Sequence, residues 1–97
     1  MPNEVVFHVS WPSGKRDHFR IESEPNMLLI SQSSADYEAV FHLSPDRYSE
    51  FCGALGFADM ADPMSVISWM VSVGDQIPVV EAIQSCATRV LSCSDHF

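Results

Sequence analysis

The side chains of this chain that could do chemistry are a few histidines, three cysteines and several closely spaced carboxylates. His8, His18 and His42 fall at outward positions of strand-like segments. Imidazoles gathered on one sheet face could bind zinc or copper. No HxH or CxxC spacing accompanies them and Arg20 lies close by, so solvated histidines and no metal are expected. Cys52, Cys86 and Cys93 are an odd number at no framework spacing, which fits reduced thiols better than disulfides. Cys86 and Cys93 are seven apart and could share a helix face. Two thiols at that spacing match no zinc pair and are better read as helix packing. Cys52 with His42 could make a nucleophile and its base. Cys52, however, falls on the apolar stripe of its own helix, where a core role is expected.

Paired carboxylates occur as Glu22/Glu24, Asp36/Glu38 and Asp59/Asp62. Acid–base catalysis would need such a pair held in a cleft that separates the two pKa values. Strand ends and turns leave them in water instead. The four glycines are scattered singly, so no phosphate-binding loop is present. Trp11, Tyr37 and Phe41 could suggest a base-stacking sheet, but nearby acids and missing bases oppose it. The expectation is a protein that is not an enzyme and carries no cofactor.

The elements that would position these residues change character midway. Val5, Phe7, Val9 and Trp11 alternate with Val6, His8 and Ser10, the period of a half-buried strand. Pro12-Ser13-Gly14-Lys15 is turn chemistry. Asp17, Phe19 and Ile21 alternate with His18, Arg20 and Glu22 in a second strand. Sharing a face requires opposed residue numbers with an even sum, and a sum of 28 sets Val9 against Phe19. That register needs a five-residue loop or a bulge, and it leaves His8 and His18 diagonal. Met27–Ile30 is continuously apolar, a third strand that is central or covered on both faces. Tyr37, Ala39, Phe41 and Leu43 mark a fourth. Short turns favour an antiparallel meander.

Helical spacing follows. Ser44-Pro45-Asp46 is a start signal, and Tyr48, Phe51, Cys52 and Leu55 form one stripe that Gly56 can end. Asp62-Pro63 is a second start, before an uncharged apolar run from Met64 to Val73 that Gly74 closes. Asp75 can cap a third helix whose inner face is Val80, Ile83, Ala87, Val90 and Leu91. The fold expected is one α+β domain over residues 1–97. A four-stranded antiparallel sheet forms its N-terminal half, and two to three helices pack on one sheet face in two layers.

Ninety-seven residues, 46% hydrophobic and 19% charged, suit one globular core. No apolar run reaches the length of a membrane span, and the N-terminus does not read as a secretion signal, so a cytoplasmic location is expected. The net charge is −8. Between Ile21 and Glu81 ten acids face the single base Arg47, a local charge of −9. Such a surface repels nucleic acid and anionic membrane and suits a basic partner. Asp46, Asp62 and Asp75 have local work at helix starts. The candidates for partner binding are therefore Glu22, Glu24, Asp36 and Glu38 at strand ends, with Glu50 and Asp59 in the helical half. The uncharged segment around Trp69 and Met70 is the candidate contact for a homodimer.

In size, acidity, single α+β domain and lack of a catalytic motif, the chain resembles the small acidic inhibitors of phages and mobile elements. Among these are anti-CRISPR proteins that mimic DNA. The resemblance implies blockade of a lysine-rich, nucleic-acid-binding groove in a CRISPR surveillance complex, in the host cytoplasm. Two alternatives share the same features. One is an immunity protein or antitoxin that neutralises a basic nuclease toxin. The other is a homodimeric structural or adaptor domain whose acidity serves only to keep it dispersed.

Overall fold

The computed structural model describes residues 3–60 and 62–94, the last four of these as backbone. Four strands run in order: β1 (Glu4–Ser10), β2 (Arg16–Glu24), β3 (Met27–Ser34) and β4 (Tyr37–Leu43). A 3₁₀ turn (Pro45–Arg47) leads into α1 (Tyr48–Ala54), α2 (Pro63–Ser72) and α3 (Gln76–Cys86). The chain then returns as β5 (Thr88–Ser94), pairing antiparallel with β4. The five-stranded sheet has the order β1-β2-β3-β4-β5, with β3 at its centre. The helices cover one face, giving the expected two-layer α+β domain.

Two features of the sheet differ from the sequence expectation. The third helix stops at Cys86, and Ala87 is already extended (φ −88°, ψ 153°). Residues 88–94, assigned above in part to that helix, form the fifth strand, with a bulge where Val40 and Phe41 meet it. The alternative would leave the ladder groups of β4 unpaired at an edge. The second difference is the β1–β2 register, whose sum is 26 and sets Phe7 against Phe19. Trp11 N–H donates to the Lys15 carbonyl at 2.8 Å and Gly14 N–H to the Trp11 carbonyl at 2.9 Å. These bonds close a three-residue loop with Pro12 at the second turn position and Gly14 at φ +91°. A type I turn followed by a left-handed residue matches strand twist, and glycine occupies that region without strain. Both sums are even, so the inward set is unchanged.

That inward set makes the core. Phe7, Val9, Phe19, Ile21, Leu28, Ile30, Ala39, Phe41 and Leu43 come from the sheet. Phe51, Cys52, Met64, Val66, Ile67, Met70, Val79, Val80, Ala82, Ile83 and Cys86 come from the helices. Phe7 and Phe19 stack with ring centroids 5.2 Å apart. The helix ends follow their residues. Asp62 caps α2, its carboxylate accepting from the Ser65 backbone N–H (3.4 Å) and hydroxyl (2.7 Å). Asp75 makes no such side-chain bond at the start of α3, contrary to expectation. Its backbone serves α2 instead. Asp75 N–H donates to the Met70 carbonyl and Gly74 N–H, at φ +87°, to that of Val71. This is a Schellman ending. Gly56 and Phe57 repeat it on Gly53 and Cys52 at the end of α1.

Candidate binding surface

The expected site was four carboxylates at strand ends. The meander places them at both ends of the sheet. Glu24 adjoins the β2–β3 turn, with Glu22 two residues before it, whereas Asp36 sits in the β3–β4 turn and Glu38 just beyond. The paired residues Met27 and Ser34 that mark these ends are seven positions apart on β3, roughly 23 Å at strand rise. That exceeds the Debye length at physiological salt, about 8 Å. The two groups therefore act separately. Each has neighbours that change its meaning. Glu22 shares Arg20 with Glu4, at 3.5 and 2.5 Å respectively. Asp36 faces Lys15 and Arg16 across an open pocket that Gly14, Ser34 and Ala35 complete.

In the helical half, Glu50 grips Arg47 through two hydrogen bonds, at 2.6 and 3.2 Å, which holds the guanidinium more firmly protonated than usual. Asp59 is exposed in the loop between α1 and α2. Seven exposed acids have no basic side chain within ion-pair distance among the described residues: Glu24, Asp36, Glu38, Asp46, Asp59, Asp75 and Glu81. Glu22 and Glu50 leave the expected set because each is tied to an arginine. Asp46, Asp75 and Glu81 enter it: all three are exposed, and Asp75 makes no cap bond with its side chain.

Trp69 and Met70 part company on α2. Met70 is buried in the core and offers no surface for a dimer. A rotation of 100° per residue carries its neighbour out, and Trp69 is 57% exposed. Val73, one turn on, and Ile77 at the start of α3 are also exposed.

The groups considered for chemistry are distributed as follows. His8 and His18 are opposed across β1 and β2, not diagonal as the sum of 28 implied. His18 Nδ1 and His8 Nε2 lie 2.9 Å apart and the rings meet edge to face. His42 shares their sheet face but is two strands over, opposite Leu29. No group of three or more potential metal ligands forms among the described residues. Cys52 is buried beneath the opposite sheet face from His42, so the two cannot act as nucleophile and base. Burial pushes the Cys52 thiol up, and the negative charge of Asp62 adds to the rise. Burial likewise raises the Cys86 thiol, aided by Glu50 and opposed by Arg47. Cys86 ends α3 and Cys93 belongs to β5, so they do not share a helix; the Cys93 side chain lies outside the described residues.

One buried charged residue was not among the candidates. Asp17 lies on the inner sheet face, 3% exposed, and accepts from Trp11 Nε1–H at 2.8 Å. Its other oxygen has no hydrogen-bond partner among the described residues. The alternation of β2 sets residue 17 on the face of Phe19 and Ile21, but alternation alone does not show its bond to Trp11. No helix among the described residues is long and apolar enough to cross a membrane. Compared with known protein families, characterised proteins and solved structures, the chain has no significant match.

Proposed function

We propose that this chain is an acidic, non-catalytic binding protein that occupies a basic, nucleic-acid-binding surface of a larger protein and presents carboxylates where phosphates would lie. A CRISPR surveillance complex is the partner that the resemblance to anti-CRISPR inhibitors suggests. The observation that carries the reading is the set of seven exposed acids that form no ion pair among the described residues. An acid tied to an arginine of its own chain must break that pair to meet another. These seven need not, so their carboxylates are available to a cationic surface. Their spread over both sheet ends and the helical layer suits a partner that wraps the domain more than one that touches a single patch.

The test is a pull-down from the source cell at low and high salt. It compares the wild-type chain with a variant carrying Glu24→Gln, Asp36→Asn, Glu38→Gln, Asp59→Asn and Asp75→Asn. The expected result is a captured nucleic-acid-binding protein that is released by salt and lost with the variant. Its own binding to a DNA duplex should be blocked by the wild-type chain in a gel-shift assay. Equal capture by both chains, or a partner that still binds its duplex in the complex, sinks the proposal.

A further inference from the structure

We infer that the outward face of α2, centred on Trp69, is a docking site for a guanidinium-rich protein surface; the inference rests on the acid-on-base reading above and names the part of the molecule that makes the contact. Val66, Ile67 and Met70 turn α2 toward the core, which leaves Trp69 on the opposite side of the helix. Ser65 and Ser72 lie on that same side. With these small neighbours the indole is 57% exposed. Val73 is exposed one turn later on the same side of the helix.

Singly exposed apolar residues need no explanation, but a largely exposed tryptophan with an exposed valine one turn on does. The charges around it select the occupant. No charged residue lies between Pro63 and Ser72, yet each end of the helix carries an acid. Asp62, two turns before Trp69, falls on the same side of the helix, about 10.5 Å away along the axis. Its carboxylate serves Ser65 and retains acceptor capacity. Asp75 follows the last turn, exposed and with no basic partner among the described residues.

An exposed indole on a helix with a carboxylate at each end matches arginine. The guanidinium stacks on indole and pairs with carboxylates, while its aliphatic stem covers apolar surface such as Val73. A second copy of this chain fits poorly. An antiparallel pairing of two α2 helices would set Asp62 of one copy against Asp75 of the other, and a parallel pairing would set like against like. Either adds repulsion between chains that each carry −8.

The test is a titration of the isotope-labelled full chain with nona-arginine, followed by nuclear magnetic resonance. The two indole N–H signals, from Trp11 and Trp69, report separately. The Trp69 signal should move and that of Trp11, bonded to Asp17, should stay. Trp69→Leu, which keeps an apolar side chain on an exposed position, should weaken binding by roughly five- to thirtyfold. If backbone signals of Glu24, Asp36 or Glu38 move while the Trp69 indole does not, this docking face is overturned and the acid-on-base reading stands. If no signal moves, both fall. A wild-type dimer in sedimentation that becomes monomeric with Trp69→Leu would assign the face to a second copy and overturn the inference.

Discussion

Trp11→Phe should destabilise this protein far more than the loss of one half-buried polar group suggests, because of what it leaves behind. The Asp17 carboxyl is buried, and the Trp11 indole N–H at 2.8 Å is its one hydrogen-bond donor among the described residues. Phenylalanine keeps the ring and removes the donor. A buried acceptor left wholly unsatisfied costs about 1–3 kcal/mol. Taking about 2 kcal/mol, and about 4–8 °C of Tm per kcal/mol for a domain of this size, Tm should fall by about 8–16 °C. Asp17→Val should be milder, since the half-buried indole can turn its N–H to water. In the double variant Trp11→Phe/Asp17→Val, both polar groups are gone and apolar atoms fill the site. It should recover most of the loss. Thermal and urea unfolding of the four proteins closes a double-mutant cycle, and the coupling should be at least about 1 kcal/mol. Additive effects, or a double variant as weak as Trp11→Phe, would refute the reasoning that the orphaned carboxyl is the cost.

Three further outcomes follow from the packing and the helix ends. Gly74→Ala should cost about 1–2 kcal/mol, measured by urea unfolding, because its φ of +87° is a left-handed conformation that a Cβ opposes although nothing crowds the position. Cys52 in the native chain should resist alkylation at pH 8 and react once urea unfolds it, read by peptide mass spectrometry, since its thiol is buried and raised. Stability should decline as pH rises past the ordinary thiol value of 9.0, because Cys52 and Cys86 ionise there only in the unfolded chain; an unfolding free energy that rises between pH 9 and 10 contradicts this.

The strands were legible because their faces differ. Phe19 and Ile21 against Arg20 and Glu22 leave no doubt about which side is buried, whichever register is chosen. The register itself was not legible from alternation, since sums of 26 and 28 bury the same residues. It was written in the turn, where Pro12 and Gly14 at their spacing specify a three-residue loop. The α1 stripe and the glycines that end α1 and α2 were readable for the same local reason. The site was less legible. Charge alone could not tell Glu22 and Glu50 from Glu24 and Asp59, because pairing with Arg20 or Arg47 depends on which residues the fold makes neighbours.

Local physics, read from the residues in order, determined where strands and helices begin, which faces are apolar, and that the middle of the chain is acidic. Those properties depend on neighbours within a few positions. Tertiary structure decided what depends on distant partners. Residues 88–94 became a strand because β4 needed one beside it, although Val90 and Leu91 also continue a helical stripe. The core took Met70 and left Trp69 in water, because one helix can turn only one side toward a sheet. The carboxylates of Glu24 and Asp36 came to rest at opposite ends because successive turns of a meander alternate ends. Closeness along the chain did not make them neighbours in space.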